Sequence, residues 1–200
     1  MIPTGKPEDG GVVRLKHVVD RHKGEKFLIC GTGPSIDQYH RSFYESWPGI
    51  TIGVNDILDL FMPDYYLNIH NDERILWCHM EGKEGGIHFS YHNPSTRVDL
   101  EKNGELSIVG TVAFTAMSAA YQLGASEINL IGIDCKLRHG QSHFEGCSSV
   151  LVPGGTHFIE KSFELEGTIR SFERAISEYQ TQGIKVFNLS KDSLICVNSI

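Results

Sequence analysis

The chain has no excess of basic residues. Eighteen Lys+Arg stand against twenty-five Asp+Glu among 200 residues, for a net charge of −7. That excludes broad, sequence-independent duplex binding, which needs a basic face to displace counterions. It also lacks an apolar run fit to cross a bilayer: the longest weakly polar stretch, residues 108–121, is broken by Gly110, Thr111, Thr115 and Ser118. The opening residues, MIPTGKPEDGG, have no apolar core of the kind a signal peptide carries. Cys30, Cys78, Cys135, Cys147 and Cys196 are odd in number, widely spaced and include no C-x-x-C pair, so free thiols are expected. No internal repeat and no low-complexity tract is present. These absences lead us to expect a soluble, cytoplasmic protein with no nucleic-acid partner and no transmembrane segment. What is present, 40% hydrophobic and 22% charged residues, suits one globular domain over 1–200.

Apolar periodicity gives strands alternating with helices. Residues 1–11, rich in Pro, Gly and charge, read as a loose arm, and 12–20 as a short helix or strand. The compact run Lys26–Cys30 stops at Gly31, as a buried strand would. Strands are also expected at 50–54, 65–69, 127–133 and 184–189, with helices over 36–44, 109–123 and 169–179. Asp56 is placed to cap a short helix that Pro63 ends, and Gly124 to close the central helix. Residues 71–105 show poor periodicity and stay unassigned, whereas 135–165 read as an irregular, lid-like insertion. The expected fold class is α/β, a Rossmann-like, mainly parallel sheet flanked by helices.

In an open parallel sheet, ligands bind outside the carboxyl ends of the strands. That selects residues 31–35, 55–56, 70–73 and 134–143. Gly31 and Gly33 let the backbone approach a ligand, and the helix start after them offers N–H groups to a phosphate, with Thr32, Pro34 and Ser35 completing the loop. The pattern is neither G-x-G-x-x-G nor G-x-x-x-x-G-K-[ST], and no lysine is placed to reach a terminal phosphate. Asn55 and Asn68 follow the second and third strands, where their amides can read a base or ribose. Ten histidines are many for this length, yet no H-E-x-x-H and no Cys/His quartet appears, so no metal is assigned from them. A general-base histidine within 135–160 fits better, because that segment leaves the strand end at Asp134. Only eight residues separate Asp134 from His143, too few to carry the ring to the opposite sheet edge.

Residues 26–35, KFLICGTGPS, resemble the opening strand and nucleotide loop of the family 42 bacterial sialyltransferases. They equally resemble the archaeal 6-hydroxymethylpterin diphosphokinase-like proteins of the flagellin-glycosylation group. Gly53-Val54-Asn55 and Tyr66-Leu67-Asn68 are similar to the sialyltransferases' second- and third-strand asparagines, which contact the cytidine nucleotide. Gly110 and Thr111, with the helix to Gly124 and the stretch ending at Asp134, resemble the family's G-x-x-x-x-x-A-x-x-L-G-x-x-E-I-x-L-x-G-I-D segment. Ser142-His143-Phe144-Glu145-Gly146 is similar to its S-H-Y-x-G segment, whose histidine is the catalytic base. Ser107 stands near the position of a family arginine, the segment from Asp134 to His143 is shorter than the family lid, and Lys136 and Arg138 are the nearby cations.

The resemblance implies an inverting glycosyltransferase that moves a sugar from a nucleotide donor, CMP-linked in the family, to an acceptor hydroxyl. His143 would be the base, and Gly31, Thr32, Gly33, Pro34, Ser35, Asn55, Asn68, Gly110, Thr111 and Asp134 would hold the nucleotide. No cofactor is required for that chemistry, which gains from positioning and from neutralising the leaving phosphate. The alternative, ATP-dependent pyrophosphoryl transfer, needs Mg2+, with Asp56, Asp72 or Asp134 as ligands. A non-catalytic nucleotide- or sugar-binding module is the third reading. The expected partner is a nucleotide or nucleotide-sugar; a homo-oligomer is left open, with 71–105 as a candidate surface.

Overall fold

A computed structural model describes residues 13–68, 75–79, 85–92, 100–107, 111–135, 162–191 and 193–197. The loose arm, most of the lid-like insertion, and Gly110 and His143 lie outside the described residues. Ten strands and three α-helices are present among the described residues. The strands are β1 (Val13–Arg14), β2 (Lys26–Cys30), β3 (Ile50–Val54), β4 (Tyr65–Leu67), β5 (Ile75–Cys78), β6 (Gly85–His88), β7 (Ser90–His92), β8 (Glu105–Ser107), β9 (Glu127–Ile131) and β10 (Lys185–Asn188). The helices are α1 (Arg41–Glu45), α2 (Val112–Leu123) and α3 (Ser162–Thr181), and 3-10 turns follow β2 (Pro34–Gln38) and β3 (Asn55–Asp59).

Eight strands form one sheet in the order β1-β6-β5-β4-β3-β2-β9-β10. The pairs β4/β3, β3/β2, β2/β9 and β9/β10 are all parallel, and this block is the α/β fold expected from the sequence. Beyond β4 the pairing turns antiparallel through β5 and β6, and then parallel again to β1. A separate two-stranded sheet pairs β7 with β8. β5, β6 and β7 lie in the stretch with no legible periodicity, and β8 begins at its last residue. They are three or four residues long, and Gly85 and Gly86 supply half of β6.

The core follows from alternation along β2. Phe27 and Ile29 face α2 and α3, joining Ile52, Val54, Phe114, Met117, Phe172 and Tyr179; Leu28 and Cys30 face Ile36, Tyr44, Ile57 and Phe61 on the other side. A strand with both faces covered needs an unbroken apolar run, which KFLIC supplies. Every residue of α2 is buried, because residues 100–107 cover the helix on the side away from the sheet. That cover is held by hydrogen bonds: Gln122 accepts from Gly104 N–H and donates to Glu101 C=O, Ser118 Oγ accepts from Ser107 N–H, and Tyr121 donates to Leu100 C=O. Gly124 ends α2 in the left-handed region at φ 101°, as its position predicts.

Three local expectations need correction. The helix expected over 36–44 is a 3-10 turn and then α1, because Tyr39 between them is extended. The strand expected to 133 ends at Ile131, since Gly132 takes φ 69° and leaves the ladder. Asp56 lies inside the 3-10 turn rather than capping it, and the capping position is Val54.

Candidate functional site

β2 is flanked by β3 on one side and β9 on the other, and the chain changes direction across the sheet between them. The loops leaving their carboxyl ends diverge there, which is where an open α/β sheet forms a ligand crevice. A cleft of about 170 Å³ opens at this point, lined by Gly31, Thr32 and Gly33 after β2, Val54 and Asn55 at β3, and residues 132–135 after β9. Thr111, Val112 and Ala113 at the start of α2 close one wall, and Phe172 of α3 contributes an apolar face.

The turn after β2 and the start of α2, which both reach this cleft, are used differently. Around 31–35 three N–H groups are committed within the chain. Gly31 N–H donates to Ile131 C=O, Gly33 N–H to Gly132 C=O at 2.7 Å, and Ser35 N–H to Asp134 Oδ2 at 2.8 Å. Pro34 has none to give. The Ser35 hydroxyl accepts from Gly132 N–H at 2.9 Å and bonds Ser190 Oγ at 2.7 Å, so it ties β2, β9 and β10 together. The glycines serve the same closure. A Cβ on Gly31 would lie 2.3 Å from Gly132 O, and one on Gly33 2.4 Å from Asp134 Oδ2, although φ at Gly33 is an ordinary −67°. What approaches this loop is the end of β9. A carboxylate already sits at the start of the 3-10 turn, in the place the sequence reserved for a phosphate.

The start of α2 has no such closure among the described residues. Thr111 Oγ1 accepts from Phe114 N–H at 3.3 Å, and Thr111 C=O takes the first helical bonds. Val112 and Ala113 occupy the first two helical positions, whose N–H groups have no partner inside a helix. They lie in the wall of the cleft at the positive end of the helix dipole.

Asp134 is 5% exposed. Its Oδ2 holds Ser35 N–H, whereas Oδ1 is buried with no hydrogen-bond partner among the described residues. Asn55 Oδ1 is in the same condition across the cleft. Asn55 and Cys135 also adopt left-handed backbone, φ 52° and 51°, which is costly for residues other than glycine. The Cys135 thiol is pushed up to about 11, first by burial and then by the charge of Asp134. It is therefore a protonated wall residue at neutral pH rather than a nucleophile. Cys30 is fully buried and its thiol is raised further by desolvation alone.

Of the residues singled out from the sequence, Gly31, Thr32, Gly33, Asn55, Thr111 and Asp134 line one cleft. Pro34 and Ser35 are buried behind it, and Asn68, at the end of β4, donates to Tyr66 Oη rather than lining it. Gly110, Asp72 and His143 lie outside the described residues. Cys135 falls within the 134–143 stretch selected from the sequence, whereas Val54, Val112, Ala113, Gly132, Ile133 and Phe172 were not foreseen. Gly132 had a visible signal, since a glycine between Ile131 and Ile133 breaks an apolar run. No three His, Cys, Asp or Glu side chains gather into a metal cluster among the described residues. No described helix is long and apolar enough to cross a membrane. No family model, no curated protein and no solved structure matches this chain.

Proposed function

We propose that the chain binds a nucleotide in this cleft and uses it as the donor in an inverting glycosyl transfer of the sialyltransferase-like kind. The observation that carries the reading is the meeting, at the switch point of a parallel sheet, of the first helical residues of α2 with buried acceptor oxygens that have no partner among the described residues. The first suits phosphate and the second suits hydroxyl or amino groups, so together they suit a molecule bearing both. The N–H groups of Val112 and Ala113 would take the charge that grows on the departing phosphate, a role that requires no cofactor. The acceptor hydroxyl oxygen bonds to the anomeric carbon as the bond from that carbon to phosphate oxygen breaks, and the hydroxyl proton passes to a base. His143 is assigned that base on the sequence resemblance. The four described cysteines are all free, in keeping with a cytoplasmic setting.

The test is a thermal-shift and calorimetric panel of CMP, UMP, AMP and ATP, with and without magnesium. Stabilisation by a nucleoside monophosphate without magnesium supports the reading. Affinity confined to ATP with magnesium favours pyrophosphoryl transfer instead, and no nucleotide binding at all rejects both. Given a donor, His143→Asn should lower turnover by about 10²- to 10⁴-fold with nucleotide affinity unchanged. Equal turnover would remove His143 from the reaction.

A further inference from the structure

The loop after β9 is bracketed by two residues in left-handed backbone, Gly132 at φ 69° and Cys135 at φ 51°. Glycine adopts that region freely, whereas Cys135 carries a Cβ and keeps it only where its surroundings fix the chain. Two other segments do the fixing. From the turn after β2, Ser35 Oγ accepts from Gly132 N–H, Gly33 N–H donates to Gly132 C=O, and Ser35 N–H holds the Asp134 carboxylate. From the segment after β10, Ser193 Oγ donates to Ile133 C=O at 2.9 Å and Leu194 N–H donates to Asp134 C=O at 3.0 Å. The carbonyls of the two residues between the left-handed positions are thus held by two consecutive residues.

The segment after β10 grips the first turn as well. Ser190 Oγ bonds Ser35 Oγ at 2.7 Å, and Lys191 N–H donates to Gln38 Oε1 at 3.4 Å. Its hold on the rest of the protein is mostly polar. Ile195 is buried, with its N–H given to Ser193 Oγ and its C=O taken by Asn188 Nδ2, but the Leu194 side chain is 45% exposed. A segment held by hydrogen bonds with little apolar burial opens at a lower free energy than the sheet. Residues 132–135 all line the cleft, so whatever fixes their backbone fixes the cleft wall.

We infer that residues 190–191 and 193–195 act as a strap. Closed, the strap holds the β9 loop in its strained form and so shapes the cleft; its release lets Cys135 relax and dismantles that wall. The device goes beyond the nucleotide reading and holds whatever the cleft binds. With the strap closed, the Cys135 thiol is pushed up to about 11, first by burial and then by Asp134, and reacts slowly. Released, it is an ordinary thiol, so its alkylation reports the opening.

The test is iodoacetamide labelling of the full chain at neutral pH, read cysteine by cysteine from peptide masses. Cys30 of β2, fully buried, reports global unfolding. Ser193→Ala deletes the donor to Ile133 C=O and the acceptor for Ile195 N–H, so Cys135 should label about tenfold faster while Cys30 does not. Ser193→Thr keeps the hydroxyl and should restore the wild-type rate. In the wild type, low urea should leave the Cys135 rate nearly flat and raise the Cys30 rate steeply, because a local opening exposes little surface. That arm decides the matter if neither variant folds. An unchanged Cys135 rate in Ser193→Ala, or acceleration of Cys135 and Cys30 together, overturns the inference. So does a Ser193→Thr variant that labels as fast as Ser193→Ala, or a wild-type Cys135 rate that climbs with urea as steeply as that of Cys30.

Discussion

The turn after β2 and the first residues of α2 meet at the same cleft, and each lies at the start of a helix. The first has the glycines, the proline and the serine that suggest a phosphate loop, yet the N–H groups of Gly31, Gly33 and Ser35 are bonded to Ile131, Gly132 and Asp134. The second has only Thr111 to mark it, yet its first two helical residues, whose N–H groups have no partner inside a helix, line the cleft. Anion binding depends on which donors are left over, and glycine content does not report that. In the first turn the glycines allow two backbones to touch, and the anion is the chain's own Asp134.

If that contrast is right, changes to the first turn should damage the fold, whereas changes to the second should damage binding. The largest effect is expected at Gly31. In Gly31→Ala the new methyl would meet the Gly132 carbonyl at 2.3 Å, backbone against backbone, with nothing able to swing aside. Urea unfolding should show a loss of about 3 kcal/mol. A variant of wild-type stability would mean that the two loops are not in contact as described.

Ser35→Ala comes next. It deprives the buried Gly132 N–H and the Ser190 hydroxyl of their partner, at a cost of about 1–3 kcal/mol. Nucleotide affinity per folded molecule should stay within about twofold. A variant that loses affinity while keeping its melting temperature would return Ser35 to the ligand.

Val112→Pro probes the other turn. Proline is well accepted at the first helical position, and Thr111 already has the extended backbone (φ −141°, ψ 151°) that a residue before proline prefers. One N–H of a residue that lines the cleft is deleted and no helical bond is lost. Nucleotide affinity should fall about tenfold with a stability change of about 1 kcal/mol or less. Unchanged affinity would show that α2 does not hold the phosphate.

The smallest effect concerns Cys135, in the β9 loop between the two turns. Its folded-state pKa is raised from 9.0 to about 11, so the folded chain keeps a proton that the unfolded chain releases. The stability this contributes is complete below pH 9 and is lost as pH climbs toward about 11. Cys135→Ser should flatten that part of a stability–pH curve, and an identical slope in the variant would place the loss elsewhere.

Much of the parallel half was legible in the sequence because its signals are local. β2 and β3 have the bounds read from KFLIC and ITIGV, since strands covered on both faces must be continuously apolar. α2 was legible from its periodicity and from Gly124, although nothing local said that residues 100–107 would bury its outer side. The short strands β5 to β8 carry too few residues for any period to emerge. The position of the cleft followed from a topological rule, whereas its chemistry did not. Ser35 and Asp134 are 99 residues apart, and the bond between them decides whether the first turn has donors to offer. Asp134 was singled out as a strand-end residue, but that one of its oxygens would close the phosphate loop is visible only in the folded chain.

The most direct measurement is a crystal structure of the chain with the monophosphate that binds best. The account expects the phosphate on the N–H groups of Val112 and Ala113, with the bonds from Gly33 to Gly132 and from Ser35 to Asp134 still intact. Phosphate seated against residues 31–35 with Asp134 displaced, or a nucleotide bound outside this cleft, would contradict it.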